Sequence, residues 1–400
     1  MAQNFMMDRL ETLTERYREG VQAGNYFYES EITAQTPTSV EVDGRQMVML
    51  SSYSYLGLLR HPAIDAAAHD AVNHFGTGTH GVRLLAGTTS LHRQLERRIA
   101  AFKGTEDAVV FSSGYVANLA TISTLLGRRA VAICDKLDHA SIVDACRLSG
   151  AEFLRFAHND MEDLERCLRQ SDGRTRLIVI DAVFSMDGDI VDLPSVEALC
   201  RQQGAALMVD EAHSVGVLGA TGHGIEEHFK LDGSAIDIKM GSLSKTIPGS
   251  GGYVAGSRVL IDALKHNARA YIFSGALPPP VAASAIAAFD VIEAEPERVA
   301  QLHSKTQRFQ LALGTRGFRI LHSMTPITAL ICRTEQQAFD MTRLCRQNGV
   351  YVTPVVFPAV PNALPRLRLV VTAALSDEQI DRAVDVLAAA GRVCGLLAQG

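Results

Sequence analysis

Lys245 stands in GSLSKTIPGSGG, residues 241–252, the stretch of the chain densest in small and hydroxyl side chains. Ser242, Ser244, Thr246 and Ser250 surround it, and Gly249, Gly251 and Gly252 leave room beside it. Such a lysine can meet a bound molecule, with hydroxyls ready to hydrogen-bond an anion. The plainer reading is a surface lysine in a Gly/Ser loop. Groups upstream weigh against that. The apolar run ALMV (206–209) ends in Asp210-Glu211-Ala212-His213-Ser214. A carboxylate at the mouth of a buried strand needs a partner, because burying it alone is costly. A protonated ring nitrogen of a heteroaromatic cofactor would serve, and His213 could meet a phenolate oxygen on the same ring. Taken alone, Asp210 and His213 also fit a structural cap or hydrogen-bonded pair. With Lys245 at the end of the next strand, the three supply what holding pyridoxal 5′-phosphate requires: an amine for a Schiff base, a ring-nitrogen counter-ion and an O3′ partner.

Further groups follow other strand ends. The run 108–111 leads into Ser112-Ser113-Gly114-Tyr115, small residues opening a helix, where free backbone N–H groups can cradle a phosphate. The run 130–134 leads to Asp138-His139-Ala140-Ser141, placing His139 to stack on a pyridine face or, more plainly, to begin a helix. The run 177–180 leads to Asp181 and, within VFSMDGD, Ser185.

These groups need a scaffold that lines up strand ends. Strands are expected at 108–111, 130–134, 152–156, 177–180, 205–209, 236–240 and 253–255, with helices between most of them. Uniformly apolar runs such as LIVI and ALMV suit strands covered on both faces. The fold class is therefore α/β, a mainly parallel central sheet with helices on both faces and a smaller C-terminal α+β domain. Ligands in such sheets bind beyond the carboxyl ends of the strands. Toward the N-terminus, a helix over 8–22 and a hairpin over 39–49 turning at Asp43-Gly44 are expected. A helix follows Pro62, and an amphipathic one spans 90–102. Beyond Pro278-Pro279-Pro280 a helical region reaches about 314. Strands at 327–332, 351–356 and 367–371 and a helix over 376–387 follow. The expected division is an N-terminal arm (1–50), a large cofactor-binding domain (51–285) and a small C-terminal domain (286–400).

Composition narrows the class. Four hundred residues, 47% hydrophobic and 20% charged, fit an ordinary globular enzyme. A net charge of −6 without a Lys/Arg block argues against nucleic acid. No apolar stretch reaches the roughly 18 residues of a membrane span. The N-terminal segment has no apolar signal core. Seven scattered cysteines, an odd number without a CxxC pair, fit reduced thiols in a cytoplasm. His158, His213 and His223 show no metal-ligand spacing.

From Ser51 onward the chain resembles the α-oxoamine synthases, fold-type I pyridoxal-phosphate enzymes. That family includes 8-amino-7-oxononanoate synthase, 2-amino-3-ketobutyrate CoA ligase, 5-aminolevulinate synthase and serine palmitoyltransferase. The resemblance rests on ordered stretches that include SYSYLG (52–57), GVRLLAGTTSLHRQLE (81–96), SSGYVAN (112–118), LDHAS (137–141), RFAHND (155–160), VFSMDGD (183–189), MVDEAHSVGVLG (208–219), GSLSKT (241–246), GGYVAG (251–256) and RLRLVVTAA (366–374). It implies that Lys245 is the Schiff-base lysine, Asp210 the pyridinium partner, His213 the O3′ partner and His139 the stacking histidine. Ser113, Gly114 and Tyr115 match the phosphate-side turn, Ser242 a phosphate-binding threonine, and Asp181 and Ser185 further cofactor contacts. Ser274 matches the segment that reaches the phosphate of a neighbouring subunit, implying a homodimer with shared sites. Arg368 matches the arginine that grips the amino-acid carboxylate. Arg366 reads as a strand-surface residue, and Ser54 as a substrate contact in the Tyr-Leu-Gly turn.

The implied reaction condenses glycine, alanine or serine with an acyl thioester, of coenzyme A or a carrier protein, giving an α-amino ketone, carbon dioxide and free thiol. An aminotransferase and an inactive subunit of a heteromer are the other readings, and Lys245 counts against the second. Tyr53-Ser54, Asp181, Gly275-Ala276 and Leu375 depart from the usual family residues and bear on substrate choice. GVRLLAGT and the 350–361 run lean toward the ketobutyrate and aminolevulinate branch. The aromatic NYFYESE segment and DEAHS lean toward longer acyl chains.

Overall fold

The computed structural model describes residues 5–398. An exposed helix, α1 (Phe5–Gln22), opens the chain and buries none of its side chains. Strands β1 (Ile32–Gln35), β2 (Ser39–Val42) and β3 (Arg45–Met49) follow, then α2 (Pro62–Phe75) and α3 (Ser90–Lys103). The alternating part runs β4 (Asp107–Phe111), α4 (Gly114–Leu125), β5 (Ala130–Asp135), α5 (Ala140–Ser149), β6 (Glu152–Phe156), α6 (Met161–Gln170), β7 (Thr175–Asp181), α7 (Leu193–Gln203) and β8 (Ala206–Asp210). It continues with α8 (Ile225–Phe229), β9 (Ile238–Ser242), β10 (Gly252–Gly256), α9 (Arg258–Asn267) and α10 (Arg269–Ile272). Two long helices, α11 (Pro279–Ala294) and α12 (Glu297–Thr315), lead to β11 (Ile327–Ile331) and α13 (Glu335–Gln347). The chain closes with β12 (Val350–Tyr351), β13 (Pro354–Val355), β14 (Arg366–Val370) and α14 (Asp377–Val393).

The central sheet has the order β4-β10-β9-β8-β7-β5-β6, parallel except for β10, which runs against both neighbours. Its strands are apolar on both faces because both are covered. Val109, Ala132, Val179, Met208 and Val254 pack against α4, α5 and α9. Their chain neighbours Val110, Ile133, Ile178, Val209 and Tyr253 pack on the opposite side, toward α3, α6, α7 and α11. That is the period-2 alternation of a strand with helices above and below.

A separate core joins Leu50, Phe309, Met341, Leu367, Leu369 and Leu387, so the N-terminal hairpin packs with the C-terminal elements. Asp43 and Gly44 both take positive φ (52° and 69°), the conformation a tight two-residue hairpin turn demands. The hairpin extends into the sheet β1-β2-β3-β12, and β11-β14-β13 forms a second small sheet.

Two strand expectations need correction. The run 351–356 is not one strand. Val350–Tyr351 pairs with β3, whereas Pro354–Val355 pairs with β14. The chain changes sheets between them, and Pro354 has no N–H to continue a ladder. Ile236 precedes β9, which begins at Ile238 and reaches Ser242. Among the described residues no helix is long and apolar enough to cross a membrane.

Candidate active site

The parallel strands place their carboxyl ends side by side. Asp181, last in β7, is in register with Asp210, last in β8, and Asp210 with Met240 in β9. On the other side of β9, Gly252 of β10 lies between Ser242 and Phe111, bringing the turn after β4 against the turn after β9. Glycine is required there: a Cβ on Gly252 would stand 2.6 Å from Gly114 Cα. The N-terminus of α4 can therefore rest on the sheet edge, where Ser113 caps it by accepting from Val116 N at 3.1 Å. Between these ends lies a cavity of about 250 Å³. Ser113, Gly114, Tyr115 and Ser242 line it at one end. His139, Asp181, Ser185, Asp210, His213 and Lys245 line the rest.

Each buried charge in this cavity has identifiable partners. Asp210 accepts from Asn118 Nδ2 at 2.8 Å and from Ala212 N at 2.9 Å. Asn118 also donates to Ser141 Oγ at 2.9 Å, tying α4 to α5 behind the carboxylate. Asp181 accepts from His139 N at 2.8 Å; burial and then the Asp210 charge push its pKa well above the usual carboxylate range. Its own N–H is held by Asp138, whose carboxyl burial raises likewise. Lys245 is pushed below its ordinary pKa by burial, against the pull of Asp210 and Asp181. His213 is pushed well below its ordinary value by burial and then by the Lys245 charge, so it is neutral near pH 7. Its Nδ1 lies 2.7 Å from the Tyr55 hydroxyl. His139 begins α5, its Nδ1 2.7 Å from Ser141 Oγ and accepting from Ser141 N at 3.3 Å. It also borders the cavity, so the two readings of His139 are compatible.

Arg368 reaches the wall of the site from β14 and is bonded to a lining residue without lining the cavity itself. Its Nε donates to Ser185 O at 2.6 Å, its Nη2 lies 3.5 Å from Tyr55 Oη, and its guanidinium carbon is 4.8 Å from the Tyr53 ring centroid. Lys245 Nζ lies 5.9 Å from the same ring, so Tyr53 joins the arginine to the lysine. Arg366 is not on the surface as expected. It is 1% exposed, pairs with Asp187 and donates to Met186 O at 3.1 Å. Positions i and i+2 of a strand share a face, so an inward Arg368 carries Arg366 inward too. Ser54 is buried in its own turn, accepting from Leu59 N at 3.4 Å, and is not among the cavity-lining residues. Ser274 also lies outside the cavity, beside the bridge that pairs Val82 with Gly275.

Tyr55 and Asn118 complete the site without having been given a role from the sequence, and Tyr53, noted there only as a departure from the usual family residues, joins them. Only the repetition of tyrosine in SYSYLG offered a hint. The donor set is sorted along the cavity. Hydroxyls and a helix N-terminus at one end suit a phosphate, a hydrogen-bonded carboxylate suits a cationic ring nitrogen, and a depressed lysine suits an aldehyde. Asn118 Oδ1 is buried without a protein partner. Among the described residues no group of three or more His, Cys, Asp and Glu could hold a metal.

The chain matches the family described as aminotransferase class I and II over residues 45–387. It is 43% identical over 379 residues to the 8-amino-7-oxononanoate synthase of Symbiobacterium thermophilum, covering 94% of this chain and 96% of that one. It is 40% identical over 363 residues to the serine palmitoyltransferase of Sphingobacterium spiritivorum, covering 90% and 91%. Among solved structures, a serine palmitoyltransferase from S. paucimobilis with bound PLP–myriocin superposes with a TM-score of 0.94 at 32% identity, covering 98% of this chain and 99% of that one.

Proposed function

Because the chain belongs to the aminotransferase class I and II family, and within it to the α-oxoamine synthases, we propose that its chemistry is carried by Lys245, Asp210, His213, His139 and Arg368. The enzyme is a pyridoxal-phosphate-dependent acyltransferase of fold type I. It condenses an amino acid with an acyl thioester, releasing carbon dioxide and a thiol and leaving an α-amino ketone. The single observation that carries the assignment of residues is the convergence of Lys245, Asp210 and His213 from adjacent strand ends on one cavity.

The bound cofactor supplies an aldehyde that combines with amines and a ring that accepts the electron pair released at the substrate α-carbon. The residues do the rest. Asp210, fixed by Asn118 and Ala212 N–H, keeps a positive charge on the ring nitrogen. His213 accepts a hydrogen bond on Nδ1 from the Tyr55 hydroxyl, which puts its own proton on Nε2, where it would donate to a phenolate oxygen. Ser113, Ser242 and the first turn of α4 hold the phosphate, with Gly114 and Tyr115 alongside. His139, which lines the cavity, would stack on the cofactor ring. Asp181 and Ser185 complete the walls. Arg368 orients the amino-acid carboxylate through charge-assisted hydrogen bonds, and Ser54 braces the turn that presents Tyr53 and Tyr55. Lys245, whose depressed pKa favours the free amine, takes the α-proton.

The amino acid is glycine, alanine or serine, and the thioester carrier is coenzyme A. The active unit is a homodimer in which Ser274 serves the partner's phosphate end. Its position outside its own chain's cavity and the exposed Leu85 and Phe273 nearby support this. The test is thiol release from a panel of acyl-CoAs against the three amino acids, with product mass. Lys245→Ala is expected to lose the visible absorbance of lysine-bound cofactor and to lower turnover at least about a thousandfold. An unchanged spectrum with retained turnover refutes the assignment, and keto-acid-dependent amine exchange without thiol release would mark an aminotransferase.

A further inference from the structure

A second cavity, of about 670 Å³, lies between α1 and residues 353–359. Tyr17, Tyr26, Tyr28, Phe339, Val355 and Phe357 line it. Met186 belongs to the lining, and the residue before it, Ser185, lines the catalytic cavity and accepts from Arg368. The groove and the catalytic cavity are thus lined by consecutive residues, Met186 and Ser185, and the Ser185 carbonyl holds the arginine assigned to the substrate carboxylate.

The charges of the groove discriminate between acyl chains. Its lining holds one arginine, Arg16, and two glutamates, Glu19 and Glu335, a formal balance of −1. Arg16 is already engaged: its Nη2 is 3.3 Å from Glu335 Oε1, and its guanidinium lies 5.6 Å from the Phe357 ring centroid. Two further arginines near these elements are also engaged: Arg343 pairs with Asp340 and donates to Gly24 O at 3.2 Å, and Arg346 donates to Val352 O at 3.0 Å. A carboxylate at the far end of an acyl chain would face glutamates here and find the groove's one cation already paired. A hydrocarbon tail would lose nothing and bury apolar surface. The two named relatives differ at this point. A nonanoate product keeps a carboxylate at its chain end, whereas a palmitoyl chain ends in a methyl group.

We propose that the groove beneath α1 receives the acyl chain of the thioester and that this chain is an uncharged alkyl chain rather than a dicarboxylic one. The proposal rests on the acyltransferase reading above. The experiment measures thiol release by the holoenzyme with butanoyl-, octanoyl-, dodecanoyl- and hexadecanoyl-CoA and with heptanedioyl-CoA. The specificity constant kcat/KM is expected to rise about two- to fourfold per methylene until the groove is filled, and octanoyl-CoA to exceed heptanedioyl-CoA at least tenfold. Gly20 faces the groove with nothing within 4 Å of an added Cβ. Gly20→Phe is expected to lower the ratio of hexadecanoyl to butanoyl kcat/KM at least tenfold. Should that variant not fold, Ala23→Trp reads the same wall. Calorimetric binding of dodecanoyl-CoA to the holoenzyme without amino acid should weaken in parallel. A flat series, a preference for heptanedioyl-CoA, or an unchanged ratio overturns the proposal and leaves the acyltransferase reading standing. Thiol release from none of the thioesters would instead overturn that reading.

Discussion

The hydroxyl of Tyr55 is fully buried and meets His213 Nδ1 at 2.7 Å, across 158 residues of chain. Burial pushes its pKa up to about 12, so it keeps its proton at neutral pH and acts as the donor. Tyr55→Phe leaves a buried ring nitrogen without a partner, a loss of about 1–3 kcal/mol. We expect kcat for thiol release to fall about 5- to 100-fold, with the cofactor absorbance shifted as His213 loses its fixed tautomer. Unaltered kcat and spectrum would show that the pair is dispensable. The group that Tyr55 orients was legible in the sequence, because DEAHS follows an apolar strand and the strand end says where its side chains go. Tyr55 itself was not, since no spacing links it to His213; only folding does. Arg366 failed for a different reason. An RxR pair reads as one working and one solvated arginine, yet the period of the strand turns both the same way.

Among the elements, the loop from Ala182 to Val191 bears the most connections to the site. Ser185 O accepts from Arg368 and Met186 O from Arg366, while Gly188 O accepts from the hydroxyls of Ser323 (2.7 Å) and Thr325 (2.8 Å). Its other side is held by His158, whose Nε2 is 2.8 Å from Asp189 Oδ2 and whose Nδ1 is 3.1 Å from Asp135 Oδ1. The Phe184 ring meets His158 edge-on, with centroids 4.4 Å apart. Although burial opposes it, the hydrogen bonds that His158 donates to the two carboxylates raise its pKa to about 10. A folded-state pKa above the unfolded value of about 6.5 stabilises the protein fully below pH 6.5, and the contribution is lost as pH rises toward and through 10. His158→Gln should therefore lower Tm most below pH 6.5, and the difference from wild type should close by pH 10; a pH-independent difference would exclude the clamp. By loosening Ser185, it should also raise KM for the amino acid more than it lowers kcat. The strands that carry these loops were readable because burial on both faces leaves long apolar runs. The break within 350–355 was not. Val-Tyr-Val-Thr reads as one continuous strand, and two sheets compete for it.

For the whole molecule, the position of Ser274 predicts an exchange between subunits. In the homodimer proposed above, Ser274→Asp would place a negative charge against the partner's phosphate and, like Lys245→Ala, should abolish most turnover alone. After joint refolding of the two inactive variants, half the dimers combine one of each. Each such dimer has one site with both native residues, so about a quarter of wild-type activity should return. No recovery would mean that Ser274 serves its own chain or none. Which residues meet across an interface is not written in either copy's periodicity, and here only the family resemblance pointed to it. The antiparallel β10 has a consequence of another kind. It sits between β4 and β9, and without it the Ser113 turn and the Ser242 turn have nothing to bring them together. A ribosome that has reached only Lys245 has already made the lysine, the carboxylate and the helix turn proposed to hold the cofactor, but these still form no receptacle. Vitamin capture must wait for synthesis to pass Gly256, so the onset of colour in a nascent chain would time the closure of the sheet.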